Sequence, residues 1–510
     1  MKRFISVLLA AVMIFSMCIP SFAAGYDEYP TIYVTGARVN HIYAADGSLL
    51  FPNDVDGGQV LKDALKPCLE KLAKCVITND YDEWAQEFHD ALVKVFGGLN
   101  LDKNGEASDG SYPEHPYNYS LPVKTSGYGG YDYRLWYDWR LSPLDTAEYL
   151  KMYVEEVKGV TGESKVNIIG RCYGANVVQA YLALYPEHAV EHVDDVAYLS
   201  SSVEGIDGIG AFFSGRIELD DQAVTNFVNY FMENDDIIED ETTRSFITAT
   251  VELLNYTKVL GLTGEALELF IQKVKKDVIP LALLDTFGGW PSYWSMVPVE
   301  YYEDAKALIF EGIEDEYAGF IQKCDDYRNK VQLKTIETLE SLSEQGIDFY
   351  MISKYNFPEM PVYKNAVNLS DGITSVKRQS FGATCAEHDG VLSESYIKSL
   401  KDTKYLSPDR MIDASTCLFP ETSYFVKDMY HDTFPAAINN LAIEVMNHDA
   451  TVSGGEYAQY ARFDGSNELK AVEPFHEEAV NKEEPFFKVF IRFFKAFIEF
   501  IKKFIDSNND

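Results

Sequence analysis

Apolar residues follow two kinds of spacing along the first two hundred positions of the chain. Short continuous apolar runs at 30–36, 165–170 and 193–202 are typical of strands buried on both faces of a sheet. Between them, residues 80–97 and 144–160 place apolar side chains every three or four positions, which predicts amphipathic helices. This alternation predicts an α/β fold with a mostly parallel central sheet flanked by helices.

The alternation stops after the strand that ends at 202. Apolar residues recur at helical spacing from there to 345, so we predict a helical insertion. Alternation then resumes and continues to a closing helix. The other predicted elements are helices at 59–77, 174–185 and 433–447 and strands at 133–143, 347–356 and 423–431, the last of these being the final strand of the sheet.

The two ends of the chain differ in character from the α/β region. Lys2 and Arg3 precede a short apolar run that ends in small residues at Ala23 and Ala24, as in a secretory signal peptide, so we expect export to the medium or the cell surface. Residues 485–505 carry basic side chains at spacings of three and four, opposite a face of Phe and Ile. Such a helix suits either an anionic membrane surface or packing against protein, and both remain open.

The predicted organisation therefore has six segments. In chain order they are a signal peptide (1–24), the first part of an α/β core (25–206), a helical insertion (207–345), the second part of the core (346–455), an acidic linker (456–484) and an amphipathic C-terminal helix (485–510).

Composition narrows the classes of ligand. The 510 residues are 46% hydrophobic, which supports a large buried core, and the formal net charge of −36 argues against nucleic-acid binding. The nine histidines are scattered and no cysteine pair has zinc spacing, so we expect neither a metal nor another cofactor. Of the cysteines, Cys68 and Cys75 lie about 10 Å apart on one predicted helix, too far to bridge, whereas a Cys385–Cys417 disulfide stays open.

One thiol occupies a position suited to nucleophilic catalysis. Cys172 lies between Gly170 and Gly174, after a predicted strand and before a predicted helix, which is the pattern of a nucleophile elbow. The helix N-terminus lowers the pKa of a thiol placed there. The backbone N–H of Tyr173 is expected in the oxyanion hole, with a second N–H from Ala37 or Arg38.

A base and an acid should follow the nucleophile in the order acid, then base. His431 is the favoured base because it comes directly after the last predicted strand, whereas His388 and His448 do not follow a strand so closely. Two Asp-Gly turns offer the acid. Asp371 is preferred over Asp389 because it follows the strand at 347–356 more closely.

These residues resemble the α/β-hydrolase superfamily and, more narrowly, the lecithin:cholesterol acyltransferase-like lipases and acyltransferases. The resemblance rests on "YDWRLSP" (137–143), on "KVNIIGRCYGANVVQAYL" (165–182), on the helical insertion and on the Asp-Gly turns before a late His. It implies acyl transfer from a lipid-like ester through a covalent acyl-enzyme, with the insertion as a cap over the substrate pocket. The chain departs from the family in having Cys172 where the family has Ser, and "TGARVNHI" (35–42) where it has a Gly-rich oxyanion segment.

The sequence thus predicts an exported acyl-ester hydrolase or acyltransferase with a Cys172–His431–Asp371 triad. One alternative is an inactive hydrolase-fold protein that binds a lipid or another ligand at the cell surface. A second resembles the polyester synthases, whose elbow also carries Cys, but their acyl-CoA substrates are intracellular and the signal peptide disfavours them. A third is a membrane-anchored scaffold whose C-terminal helix is the functional part.

Overall fold

The structure is a computed structural model that describes most of the chain between 29 and 475. The predicted signal peptide (1–24), the predicted helix at 59–77, Asp389 and the C-terminal helix (485–510) lie outside the described residues. Within the described part, no helix combines the length and apolarity needed to cross a membrane. The residues described are 29–52, 80, 82–114, 133–218, 223, 226, 272, 276, 279–363, 365–388, 390–466 and 468–475.

An eight-stranded sheet forms the centre of the molecule. Its strands are β1 (Thr31–Val34), β2 (Tyr133–Leu135), β3 (Val166–Arg171), β4 (Val193–Leu199), β5 (Asp348–Tyr355), β6 (Ser423–Lys427), β7 (Tyr460–Phe463) and β8 (Leu469–Ala471). Their spatial order is β8-β7-β6-β5-β4-β3-β1-β2, and all neighbours are parallel except β7 and β8. This mostly parallel sheet confirms the predicted α/β class.

Both faces of the sheet are buried, which explains the continuous apolar runs in its strands. In β3, Ile168 belongs to the apolar cluster on one face and Ile169 to the cluster on the other. Side chains alternate across a strand, so a strand covered on both sides needs apolar residues at consecutive positions.

Helices supply the layers on the two faces. They are α1 (Asp82–Phe96), α2 (Pro143–Thr161), α3 (Tyr173–Leu184), α4 (Pro186–His192), α5 (Asp207–Ser214), α6 (Ile279–Leu284), α7 (Pro291–Ser295), α8 (Val299–Ile309), α9 (Ala318–Lys330), α10 (Thr335–Glu344), α11 (Val376–Gln379), α12 (Glu394–Ser399) and α13 (Ala436–Asn447). Short strands pair outside the main sheet at Ile42–Tyr43, Leu49–Phe51 and Tyr112–Pro113, and at Thr384–Cys385 and Ile412–Asp413.

Helix α2 shows how local sequence sets an element's limits. The Ser142 side chain accepts a hydrogen bond from the backbone N–H of Leu144, and Pro143 occupies the first helical position, where its missing N–H costs nothing. The helix ends at Gly162, whose φ of 79° suits a glycine cap. Between these limits Leu150 and Val154 are fully buried against the sheet.

The described residues between 207 and 345 are largely helical, and part of them share a core of their own. Trp294, Phe310 and Phe320 pack together there, with Trp294 and Phe310 stacked at 5.2 Å between ring centroids. Helix α10 is different, because Leu339 and Leu342 pack into the cluster on the sheet. It is therefore the crossover that leads into β5, although it falls within the predicted insertion.

The end of the sheet differs from the prediction. Residues 423–431 were expected to contain the last strand and 456–484 to form a linker, but β7 and β8 lie in that linker and continue the sheet. Phe425 of β6 stacks on Tyr460 of β7, with ring centroids 5.3 Å apart. These two strands are only four and three residues long and stand among charged residues, so their apolar pattern is too short to detect in the sequence.

Candidate active site

Cys172 lies at a sharp bend between β3 and α3. Its φ of 49° and ψ of −123° are unusual for a residue with a side chain, so the fold holds strain at this position. The backbone N–H of Cys172 donates to Leu199 O at 3.0 Å, which ties the bend to β4. The thiol is half-buried and free, so the first condition for a nucleophile is met.

The two flanking glycines are required by close backbone approach. A Cβ on Gly174 would lie 2.2 Å from Val34 O, and one on Gly170 would lie 2.9 Å from Cα of Ala175. Both positions therefore exclude any side chain, as the elbow interpretation predicts. Helix α3 can begin directly against β1 only because Gly174 leaves that space.

Strand order brings a second loop to the thiol. The chain leaves β1 for β2 on one side and later returns to β3 on the other, and clefts form where the strand order diverges in this way. The loop after β1 passes over the thiol, since a Cβ on Gly36 would lie 3.7 Å from Cys172 Sγ. Ala37 and Arg38 follow in that loop, and Tyr173 begins α3 beside it.

Side chains of the 137–143 motif hold this loop in place. The Tyr137 hydroxyl donates to Thr35 O, and Trp139 Nε1 donates to Asn40 O at 3.0 Å. In return, Asn40 Nδ2 donates to Tyr137 O at 2.9 Å, and Arg134 Nη2 donates to Asn40 Oδ1 at 2.8 Å. The motif therefore braces both ends of the loop that carries the expected oxyanion-hole N–H.

The charged residues of the same motif form a buried ion pair. Arg140 Nη2 lies 2.6 Å from Asp138 Oδ2, and both side chains are inaccessible to solvent. Arg140 also donates to Ser111 Oγ at 2.8 Å and to Leu99 O at 3.3 Å. A buried guanidinium is stable only when several groups accept its hydrogen bonds. These contacts join the residues just before α2 to the segment that contains Leu99 and Ser111.

The predicted base and acid are in direct contact. His431 Nδ1 lies 2.7 Å from Asp371 Oδ2, and both side chains are buried. Asp371 is itself held by the backbone N–H groups of Ile373 and Thr374, at 3.1 and 2.8 Å from Oδ1. His448, one of the two weaker candidates for the base, directly follows α13 and contacts the Tyr457 hydroxyl instead.

His388 is buried in a different loop, where its backbone N–H donates to Val367 O at 2.7 Å. Among the described residues the structure thus brings His431 together with Asp371 and leaves the other two histidines in other contacts. Asp389, the alternative acid, lies outside the described part of the chain.

A buried lysine holds the loop that carries His431. Lys354 Nζ donates to His431 O at 2.8 Å and to Thr433 O at 2.6 Å, and it lies 3.2 Å from the centre of the Phe434 ring. Burial and the nearby Arg171 lower the pKa of Lys354 well below its usual value. The sequence analysis did not identify Lys354 as a site residue. Its charge within an otherwise largely apolar strand was the feature that could have pointed to it.

The thiol and the imidazole perturb each other's protonation. Burial alone would raise the pKa of Cys172, but the positive charge of His431 lowers that pKa. Burial opposes protonation of His431, yet the charges of Asp371 and Cys172 raise its pKa. His431 Nε2 has no hydrogen-bond partner among the described residues, so the thiol and the imidazole influence each other through their charges.

Three residues near the thiol, Arg171, Asp432 and Tyr293, were not predicted. The charges of His431, Arg38 and Arg171 lower the pKa of Asp432 against the effect of its burial, and Arg171 Nη2 lies 3.7 Å from Asp432 Oδ1. Tyr293 lies within the electrostatic reach of Arg38, Cys172 and Asp432. Tyr293 belongs to the helical insertion. It lies far from Cys172 along the chain, so no local sequence pattern could predict that the two residues are close.

The insertion is also tied to the loop that carries the acid. Arg378 Nε and Nη2 donate to the two carboxylate oxygens of Asp207, at 2.7 and 2.6 Å. Arg378 Nη1 donates to Glu204 O at 2.9 Å. This bidentate pair joins α5, the first helix of the insertion, to α11, which follows the Asp371 turn.

Comparison with known proteins bears on one segment of this site. The family model described as lecithin:cholesterol acyltransferase matches residues 128–235, which include the 137–143 motif and the elbow. No curated protein matches the chain at a significant level.

Among solved structures, a chain from the crystal structure of the Tle4–Tli4 complex is 12% identical, over 64% of this chain and 75% of that chain, with a TM-score of 0.22. A score this low supports no argument. The chain is an α/β protein in which the segment at 128–235 is similar to the lecithin:cholesterol acyltransferase family.

Proposed function

We propose that the protein is an exported enzyme that hydrolyses lipid-like acyl esters, or transfers their acyl groups, through a thioester on Cys172. The observation that carries the proposal is the strained, free thiol at the elbow, in electrostatic contact with a buried His431–Asp371 pair. The family match supports the ester-processing class. Export rests on the signal-like N-terminus.

The pKa directions favour a resting thiolate–imidazolium pair. The Cys172 thiolate attacks the ester carbonyl, and the oxyanion accepts hydrogen bonds from the backbone N–H of Tyr173 and of Ala37 or Arg38. His431 then gives its proton to the leaving alkoxide, so an alcohol departs and a thioester remains.

The second half-reaction restores the resting pair. Neutral His431 takes a proton from water or from an acceptor alcohol, whose oxygen attacks the thioester. Collapse of this tetrahedral intermediate expels the Cys172 thiolate and leaves the proton on His431. Asp371 keeps Nδ1 protonated throughout, so that Nε2 is the nitrogen that exchanges the proton.

A thiol nucleophile suits an environment that keeps it reduced. Thiolates are oxidised more readily than thiols, so an exported enzyme of this kind is expected to work under anaerobic or reducing conditions. We therefore expect activity to require a reductant in air. Loss of activity in air with recovery by a thiol reductant distinguishes reversible oxidation from irreversible inactivation.

The direct test is trapping of the acyl-enzyme. Purified protein is mixed with p-nitrophenyl butyrate and with a long-chain p-nitrophenyl ester, and its intact mass is measured after acid quenching. We expect an acyl adduct that maps to Cys172 and is released by neutral hydroxylamine, as a thioester is. Cys172→Ala should abolish the adduct, whereas Cys417→Ala, which removes a buried free thiol elsewhere, should keep it.

Absence of any adduct and of any turnover in the wild type would overturn the proposal. The inactive lipid-binding protein would then be favoured if the same preparation retained a fatty acid or phospholipid. His431→Ala separates the two roles further, because it should abolish turnover but leave passive binding in the pocket.

A further inference from the structure

Three metal-ligating side chains converge away from the candidate active site. His188 and His192 lie one turn apart on α4, and Glu155 lies on α2. Each histidine Nε2 is 2.9 Å from the same Glu155 Oε1, and the imidazole ring centroids are 4.4 Å apart. One ligand atom from each residue lies within 4.8 Å of those of the other two.

We propose that Glu155, His188 and His192 form a structural site for Zn²⁺ or a similar borderline divalent cation. Two imidazoles and one carboxylate are a ligand set that zinc uses in proteins, whereas calcium and magnesium prefer oxygen ligands alone. Glu191 Oε2 lies 4.0 Å from His192 Nε2, and either this carboxylate or a water molecule would complete a tetrahedral set.

The surroundings orient one imidazole for this role. The buried Tyr181 bonds His188 Nδ1 through its hydroxyl at 2.8 Å, so His188 Nε2 is directed at Glu155. With zinc on Nε2, the proton of neutral His188 lies on Nδ1, where the Tyr181 oxygen accepts it.

Two lysines face the site and oppose a cation. Lys158 Nζ contacts His192 Nδ1, and Lys151 acts on His188 through its charge. Zinc on His192 Nε2 would place the ring proton on Nδ1, so Lys158 would turn to Glu155, whose Oε2 is already 3.7 Å from Nζ. The carboxylates of Glu155 and Glu191 balance the two lysine charges.

The position in the fold indicates a structural role. Helix α4 ends at His192 and β4 begins at Val193, so the cluster lies at the amino ends of the strands, opposite the edge that carries Cys172. A bound ion would cross-link α2 to α4. We therefore expect it to raise stability and to leave the acyl chemistry unchanged.

The test uses Zn²⁺ itself on the full chain carrying Cys172→Ser, so that the elbow thiol does not bind the metal. Equilibrium dialysis should show that this protein binds Zn²⁺. The affinity for Zn²⁺ should fall at least about tenfold in the His188→Ala/His192→Ala double variant, because even changes outside the ligand set lower the metal affinity about 10- to 100-fold. The matched control is His448→Ala, which removes a histidine that also pairs with a glutamate four residues away. This control should bind zinc as the parent does.

Two further measurements keep the result decisive. Whatever the melting temperature of the double variant in EDTA, only the parent should gain thermal stability on adding Zn²⁺. In the wild type, Zn²⁺ should protect His188 and His192 from diethyl pyrocarbonate, as read by peptide mass. Parent-like affinity in the double variant, or no protection of these two residues, overturns the site.

Discussion

At the residue scale, the site depends on how a single thiol is charged. Cys172 combines an unfavourable φ, a free sulfur and a pKa lowered by His431, while the free thiols of Cys324, Cys385 and Cys417 have their pKa raised, first by burial. Only a thiolate is a strong nucleophile. Cys172 is therefore distinguished from these three by its surroundings.

The first prediction concerns the pH dependence of alkylation. Iodoacetamide reacts with the thiolate, which forms as the pH rises through the Cys172 pKa, so labelling of Cys172 should begin well below the pH needed for an ordinary thiol. His431→Ala removes the positive charge and should shift the midpoint to higher pH. Peptide mass spectrometry measures the labelling rate at each pH.

Cys324 is the internal control, because burial raises its pKa well above the usual value and it should stay unlabelled in the folded protein. A midpoint that does not move in His431→Ala would contradict the ion pair.

The second prediction concerns the pH profile of turnover. Attack needs a thiolate and departure of the alcohol needs an imidazolium, so kcat/KM should rise through the lowered Cys172 pKa and fall through the raised His431 pKa. The plateau should therefore extend to more alkaline pH than an unperturbed histidine would allow. An activity that rises steadily with pH, without an alkaline decline, would show that His431 works only as a base.

At the element scale, a close contact and a braced loop create the elbow. Helix α3 approaches β1 so closely that Gly174 has no room for a methyl group, and the loop after β1 is held by Tyr137 and Trp139. These contacts set where the oxyanion would lie relative to Cys172. Both contacts join segments that are far apart along the chain.

The third prediction tests the close contact. Gly174→Ala should destabilise the protein by about 1–3 kcal/mol or more, because the new methyl group would overlap Val34 O and force α3 away from β1. Gly159→Ala is the matched control, since a Cβ there meets no atom within 4 Å and alanine should stabilise α2 by about 0.5–1 kcal/mol. Urea unfolding measures both changes. Equal effects of the two substitutions would contradict the packing argument.

The fourth prediction tests the brace. Tyr137→Phe removes the hydroxyl that donates to Thr35 O and should lower kcat about tenfold with a smaller change in KM, because the oxyanion-hole loop loosens without leaving the site. Tyr153→Phe is the control, as it removes an equally buried hydroxyl that bonds Arg134 O instead. Similar kinetic losses in both variants would indicate general destabilisation.

At the scale of the whole molecule, the insertion and the core act together. Tyr293 from the insertion lies within the electrostatic reach of Cys172, and Asp207 holds Arg378 beside the loop of the acid. The insertion therefore contributes to the candidate site as well as covering part of the core. The Asp207–Arg378 contact ties α5 to that loop.

The fifth prediction measures that tie by a double-mutant cycle. Asp207→Asn, Arg378→Gln and the double variant should give a coupling energy of about 1–3 kcal/mol in thermal or urea unfolding, because both side chains are largely buried and the pair is bidentate. The more exposed Arg462–Asp428 pair is the control and should couple by less than about 1 kcal/mol. Equal coupling in the two cycles would remove the special role of Asp207.

Features set by neighbouring residues were accessible from the sequence. Strands β3 and β4 and helix α2 with its caps follow from spacing within some twenty residues, and the structure has these elements where they were expected. The predicted elbow rests on equally local spacing, and Cys172 lies at the bend between β3 and α3. Burial of a strand on both faces and the steric limits of a tight turn both constrain neighbouring residues, so each produces a local sequence pattern.

Other features needed the folded chain. His431 was ranked first only because it follows a strand, and its contact with Asp371 is visible only once β5 and β6 lie side by side. The short strands β7 and β8 gain their stability from pairing at the sheet edge rather than from their own pattern.

The α/β layout and the position of the thiol can be derived from the sequence, because they follow from local periodicity and backbone sterics. What surrounds that thiol depends on contacts between distant parts of the chain. The charges of Arg38, Arg171 and Asp432, the support from Lys354 and the contact of Tyr293 join residues from separate elements, and no local pattern encodes their meeting. Close packing of the sheet, the insertion and the loops is the physical reason they meet.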